Sequence, residues 1–329
     1  MARCVDARHR PPVKVHVGSA ATLLRSRALQ KFELIIATIA VGVLAVLTIA
    51  LARTDDLSWL ARVQANAAAL NGRALTADGM AWRIPDFLSP REVNHVLRLA
   101  QGLSTLEDAD ERYQSAELPV AHWAGDKVLA AVEARIAQLT GIEVHADESP
   151  LMLAVSRPWR RRYEAADNRL QNLHHDQNTA PQRVATVLVY LTGGLQGGET
   201  LFPCLSSTEV NGNNAPIHEA QAEELCRRLT SGFEAGHRIL WPAGYSDCWD
   251  PWAFRSASAL CDLAAETAES AATHASRPLR VPPHSGEALL FFSSWDPNSS
   301  RPAMQTWHGG CRVLAGEKWT LQKFKETHF

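Results

Sequence analysis

The sequence predicts an α+β protein, with helices first and then a strand-rich half that closes as a β-sandwich or jelly roll. One membrane-spanning helix precedes it. Three observations carry this: an uncharged run at Leu34–Ala52, helical-period segments between about residues 82 and 140, and short apolar stretches separated by Gly, Pro, Asn or Ser from Leu151 onward. At 329 residues the chain can bury a large core, and 46% hydrophobic with 21% charged residues is an ordinary globular composition. A formal net charge of -2 supplies no strongly basic face, so no nucleic-acid partner is expected.

Residues 1–33 form a basic tail. The 19 uncharged residues 34–52 would make a helix about 28 Å long, close to the roughly 30 Å core of a bilayer. Arg3, Arg8, Arg10, Lys14, Arg25, Arg27 and Lys31 precede it against Asp6 and Glu33, while Arg53, Asp55 and Asp56 follow. This asymmetry predicts a single-pass type II anchor with a cytosolic N-terminus and everything after Arg53 in a secretory lumen. Ala50-Leu-Ala52 resembles a cleavage site, but the long polar region before the run and its length favour a retained anchor. Residues 53–80 are alanine-rich and read as a helical stem, leaving 81–329 as the folded domain.

Within that domain Ser89-Pro90-Arg-Glu92 is a helix start: Ser89 caps, Pro90 occupies the first turn and Glu92 closes a capping box. Val93, Val96, Leu97 and Ala100 follow at helical spacing. A second helix is expected from about Asp126 to Thr140, with Val128, Leu129, Val132, Ile136 and Leu139 on one face and Gly141 after it. Leu151–Val155, Val184–Leu191, Leu279–Val281, Ala288–Phe292 and Trp319–Phe324 read as strands.

Between residues 204 and 277 the strand rhythm stops. That stretch holds a helical run at His218–Leu229, Trp241, Trp249 and Trp252, and Cys204, Cys226, Cys248 and Cys261. It is too long for a plain loop and reads as an insertion with its own disulfide-stabilised structure. With Cys311 the lumenal cysteines number five, and their connectivity stays open. Asn298-Ser-Ser300 is a glycosylation sequon if lumenal.

The chemistry-bearing residues are His174-His175-Asp176 and, about 130 residues later, His308. Two histidines and one carboxylate from separated segments can hold one face of an Fe(II) ion and leave the other positions open. In a strand, residues i and i+2 share a face, so His174 and Asp176 could ligate together. Lys318, ten residues after His308, supplies a fixed positive charge for an acidic co-substrate. A second HxD, His145-Ala-Asp147, lies in a polar stretch and reads as a surface loop.

HHD at 174–176, then RVATVLVYLTGGLQGGETLFP, LRVPPHSGEALLFF and WHGGCRVLAGEKWTLQKF, resemble the prolyl 4-hydroxylase family of Fe(II)/2-oxoglutarate oxygenases. The likeness covers roughly residues 82–203 and 278–326. It implies a double-stranded β-helix (jelly roll), with His174, Asp176 and His308 on iron and Lys318 and Thr200 on the distal carboxylate of 2-oxoglutarate. Ser156 and Tyr163 compete for a family tyrosine that also binds 2-oxoglutarate. Arg183 matches a substrate-contacting arginine, Gly197-Gly198 a turn beside the cofactor, and Cys311 a structural cysteine. Phe324 stands in the substrate pocket where the family usually has tryptophan. Gln171 replaces a usual tyrosine, and Glu326 a frequent histidine.

The resemblance implies hydroxylation of peptidyl proline, with O2 and 2-oxoglutarate consumed, succinate released and ascorbate as supporting reductant. A proline-rich chain would enter as a preordered polyproline II helix. Type II anchored members of the family place the activity in the endoplasmic reticulum membrane, with the Golgi as the other lumenal location. The departures at Gln171, Phe324 and Glu326 keep open a related oxygenase acting on a different residue. An inactive anchored binding protein is the third reading, against which the intact ligand set argues.

Overall fold

Alternating residues let antiparallel strands bury one face on the core and hold polar groups on the other, and two sheets carry the site. The computed structural model describes residues 58–102, 113–118, 125–145, 147–158, 170–178, 180–207, 219–236, 239–240, 250–261, 278–298 and 301–327. The tail, the expected anchor at 34–52, Tyr163 and Cys248 lie outside them. Among the described residues no helix is long and apolar enough to cross a membrane.

In chain order the elements are α1 (Trp59–Ala69), β1 (Arg73–Ala74), β2 (Ala81–Ile84), α2 (Pro90–Gly102), β3 (Tyr113–Leu118), α3 (Lys127–Thr140), β4 (Leu151–Ser156), β5 (Leu170–His174), β6 (Arg183–Tyr190) and β7 (Gln196–Gly197). They continue as β8 (Thr200–Ser206), α4 (Glu219–Glu234), β9 (Ile239–Leu240), α5 (Pro251–Ala259), β10 (Pro278–Val281), β11 (Ala288–Phe292), β12 (His308–Cys311), β13 (Val313–Ala315) and β14 (Lys318–Glu326). Seven strands pair in the order β1-β2-β11-β6-β14-β4-β3, five as β10-β8-β12-β5-β9, and β13 with β7. Every one of these pairings is antiparallel. The two larger sheets face each other, with Phe202 of β8 edge-on to Phe291 of β11 at 5.1 Å between ring centroids. The chain thus has a mixed α/β fold built on antiparallel sheets.

The helices obey their sequence signals. Ser89 and Glu92 form the reciprocal capping box: Ser89 N–H donates to Glu92 Oε2 at 2.7 Å and Glu92 N–H to Ser89 Oγ at 3.3 Å. Asp126 caps α3 by accepting from the Val128 and Leu129 amides, and Gly141 ends it at φ 65°. Val93, Val96, Leu129, Val132 and Ile136 join Ala185, Val187, Val189 and Leu321 in one core. Fully burying each such side chain contributes about 1.5–3 kcal/mol.

Two expectations are corrected. The supposed stem is helical at α1, but that helix belongs to the core. Trp59, Val63 and Ala67, spaced by four, are buried, and Trp59 Nε1–H donates to the Thr140 carbonyl at 2.9 Å. The folded unit therefore starts at Ser58 rather than residue 81. Small alanines hid a narrow apolar stripe. The insertion, for its part, is stapled outward rather than inward. Its bonds are Cys204–Cys226 and Cys261–Cys311, and Cys204 lies in β8 and Cys311 in β12. Since β8 continues to Ser206, opposite Pro278, the insertion starts after the strand that residue 204 belongs to. Leu225, Leu229, Phe254 and Ala257 of α4 and α5 form a second core with Leu170, Leu173, Leu201 and Trp307.

One feature was not foreseen. Outward-facing Lys323 and Lys325 of β14 are 1% and 0% exposed. Lys323 Nζ lies 2.9 Å from Glu133 Oε1 of α3 and 3.1 Å from Glu148 Oε2, and Lys325 Nζ lies 2.6 Å from Glu148 Oε1. Charges this deep are tolerable only in mutual pairs. Lys323→Ala strands the Glu133 carboxylate and is expected to lower unfolding free energy by about 3–5 kcal/mol, read from urea denaturation.

Candidate active site

The site begins with strand register. In the antiparallel pair of β5 and β12, His174 sits directly across from His308, so two residues far apart in sequence become cross-strand neighbours. Their rings are 4.3 Å apart between centroids. Asp176 follows β5 in a 3-10 turn, Asp176–Asn178, rather than in the strand itself. The turn still carries its Oδ1 to 3.4 Å from His174 Nε2 and 3.7 Å from His308 Nε2. Potential donor atoms of the three residues all lie within 4.8 Å of one another, and they form the candidate cation site among the described residues.

The surroundings prepare these atoms for a cation. His174 Nδ1 faces the Asn172 carbonyl at 2.7 Å, and His308 Nδ1 faces the Thr306 carbonyl at 2.9 Å. A carbonyl oxygen only accepts, so each Nδ1 carries the hydrogen and each Nε2 keeps a lone pair aimed at the shared point. Asn172 reaches this pose at φ 47°, a left-handed conformation that asparagine tolerates better than most. Burial, reinforced by the nearby His174, pushes His308 down to about 4, so it is neutral at physiological pH. For Asp176, burial works against ionisation. The adjacent imidazoles and the Thr186 hydroxyl outweigh it and hold the carboxyl well below the usual range. Thr186 Oγ–H donates to Asp176 Oδ2 at 2.5 Å. Two imidazoles with their Nε2 atoms turned to one point and a buried carboxylate fit a divalent ion of the Fe(II) kind.

His175, between the ligand candidates in sequence, faces away. It is buried with Nε2 3.1 Å from the Ala303 carbonyl, and its ring stands edge-on to Phe233 of α4 at 5.3 Å. It ties the end of β5 to the segment before His308 and to the insertion.

A second cluster lies on the interior face of β14. Lys318 is buried, with Nζ donating to Thr200 Oγ1 at 3.3 Å. Tyr190 Oη is 2.8 Å from the same Thr200 oxygen. Burial pushes the Lys318 ammonium down to about 8, with Glu199 partly offsetting it. Burial also raises Tyr190, keeping it a neutral phenol. An ammonium and two hydroxyls converging in a dry place suit a carboxylate. Both glycines of the expected turn have positive φ, 73° at Gly197 and 77° at Gly198. A Cβ on Gly197 would collide with the Arg312 carbonyl, and one on Gly198 would press on Val313 and the Lys318 stem.

Alternation puts Lys318, Thr320, Gln322 and Phe324 on one face of β14, beside Tyr190, Leu188 and Thr186 of β6. From Lys318 to Phe324 is about 20 Å of strand. At the far end Arg183 stacks on Phe324, its Cζ 3.6 Å from the ring centroid, and pairs with Glu326. The structure thus gathers His174, Asp176 and His308 in one group, Lys318 with Thr200 in a second, and Arg183 with Phe324 in a third. Ser156 lies opposite Lys318 in the β4–β14 register. The second HxD stands apart from the cation group, with His145 Nε2 2.9 Å from the Glu326 carbonyl.

Thr186 and Tyr190 are site residues that motif reading missed. Their signal was available: polar residues at alternate positions of an otherwise apolar strand share its inner face.

No protein-family model matches the chain. It is similar to Prolyl 4-hydroxylase 1 of Arabidopsis thaliana, 26% identical over 257 residues covering 73% of this chain and 66% of that protein. Prolyl 4-hydroxylase 2 of the same organism is 29% identical over 142 residues, 43% of this chain and 30% of that protein. Among solved structures it is similar to a viral collagen prolyl hydroxylase of Paramecium Bursaria Chlorella virus-1, with TM-score 0.40 and 16% identity over 76% of this chain and 97% of that one. A Pseudomonas putida prolyl-4-hydroxylase gives TM-score 0.37 and 13% identity over 82% and 100% of the two chains.

Thr186→Val removes the hydroxyl that orients Asp176. It is expected to weaken Co(II) binding by about 10–100-fold in an absorbance titration, with the fold retained by circular dichroism. By sequence this chain is similar to prolyl 4-hydroxylases of Arabidopsis thaliana.

Proposed function

We propose that the chain is an Fe(II)- and 2-oxoglutarate-dependent prolyl hydroxylase acting on proline-rich peptide segments. The observation that carries this is the pairing of a two-histidine, one-carboxylate group on the five-stranded sheet with a buried ammonium on β14 of the seven-stranded one. The sequence relatives agree with it. The seven- and five-stranded sheets are read as the two halves of a double-stranded β-helix. The uncharged segment 34–52 is read as a type II anchor in the endoplasmic reticulum membrane, with the domain lumenal. The two disulfides suit that oxidising compartment.

When bound, iron with 2-oxoglutarate activates O2 for hydroxylation of an unactivated C–H bond, releasing succinate and CO2. The protein supplies position and electrostatics. His174 and His308 present Nε2 lone pairs, fixed by the Asn172 and Thr306 carbonyls, and Asp176 presents a carboxylate fixed by Thr186. Lys318, Thr200 and Tyr190 hold the distal carboxylate of the co-substrate. Arg183 and Phe324 receive the peptide at the other end of the interior face.

Mass spectrometry of a proline-rich peptide panel incubated with Fe(II), 2-oxoglutarate and ascorbate tests the reading. A mass gain of one oxygen on proline is expected. Succinate without any hydroxylated proline would select a different target residue instead. His174→Ala and His308→Ala should each abolish succinate formation, and retained turnover in either would remove that residue from the site.

Lys318→Ala should raise the KM for 2-oxoglutarate roughly 10- to 150-fold while iron affinity stays put. The dicarboxylate favours the charged ammonium, which the free protein loses as pH rises through about 8. Affinity for 2-oxoglutarate is therefore full below that pH and falls above it, measurable as a pH profile of KM that Lys318→Arg shifts upward.

A further inference from the structure

Glu326 ends β14 and is 2% exposed, yet no step above uses it. Its carboxylate is held by three donors: Ser149 N–H at 3.1 Å, Ser149 Oγ–H at 2.6 Å and Arg183 Nε–H at 3.2 Å. Arg183 Nη2 also donates to Ser149 Oγ at 3.3 Å, closing a triangle. The guanidinium is thereby pinned flat over Phe324. A planar guanidinium bonded at one edge and stacked on one face has little freedom left. The burial is unequal: the Arg183 side chain is 17% exposed and that of Glu326 only 3%. An incoming chain can reach the arginine but not the carboxylate behind it.

We propose that Glu326 sets the charge preference of the substrate, compensating the Arg183 cation from behind so that the peptide meets a neutral, stacked arginine–phenylalanine floor. This rests on the peptide-hydroxylase reading of the site. The floor offers a flat surface to prolyl rings, and it confers no advantage on acidic residues flanking the target. Glu326 is a positioning residue, acting through Arg183. His145, whose Nε2 faces the Glu326 carbonyl, and Thr327, whose amide donates to the Gln182 carbonyl at 3.0 Å, anchor the end of the strand that carries it.

The test compares two proline-rich peptides, one uncharged and one with aspartates flanking the target, on the full chain with Fe(II) and 2-oxoglutarate. In the unaltered protein their KM values should agree within about twofold and stay level from about 0.05 to 0.3 M salt. Glu326→Gln keeps the side-chain shape but uncovers the cation. It should favour the acidic peptide by roughly 5–10-fold in KM, an advantage that salt erodes, while the KM for 2-oxoglutarate and Co(II) affinity hold. An acidic-peptide preference already present in the unaltered protein overturns the proposal without any variant. So does an unchanged KM ratio in a folded Glu326→Gln protein. Failure of the underlying peptide reading looks different, because no peptide of either kind would then gain oxygen.

Discussion

Everything chemical in this chain depends on one antiparallel register. His174 and His308 share a site because β5 and β12 place them opposite each other. Cross-strand pairing brings side chains within contact distance regardless of sequence separation, here more than a third of the chain. The register is held on both sides. β8 pairs along β12, and Cys311, three residues past His308, is bonded to Cys261 of the insertion. His175 adds a third restraint by bonding the Ala303 carbonyl just before His308. The insertion is thus part of the scaffold behind the cation group.

The second organising element is β14, whose two faces do different work. Its inner residues run from Lys318 to Phe324 on the face shared with Tyr190, Leu188 and Thr186 of β6, with half-buried Gln322 between them. Its outer residues, Leu321, Lys323 and Lys325, pack into the helical layer, and the two lysines are matched by Glu133 and Glu148. The buttressing helices reach the site through this strand. A carboxylate on α3 neutralises a lysine whose chain neighbour, Phe324, supports the Arg183 guanidinium.

Much of this was legible in the sequence because the physics was local. The cap at Ser89, the apolar faces of α2 and α3, and the strands at β4, β6, β11 and β14 follow from periodicity and turn residues within a dozen positions. The cation group was legible as residue types, whereas its geometry came from register, which no local pattern encodes. Asp176 shows the limit: the alternation argument put it in the strand, but the chain turns after His174 and reaches the same point by a 3-10 turn. α1 was hidden because alanine makes a weak stripe. The destination of the disulfides was hidden because pairing depends on three-dimensional proximity. Glu326 read as a departure from a familiar pattern, and only its contacts show the carboxylate serving Arg183.

The division of β14 between a site-facing and a helix-facing side carries a consequence for how the chain can vary. Substituting a residue there alters only that residue's own contacts. Deleting or adding one within β14 just after Lys318 would turn every later side chain to the opposite face, putting Lys323 on the site-facing side and Phe324 among carboxylates. Across related chains this strand should therefore accumulate changes of identity while keeping a constant number of residues.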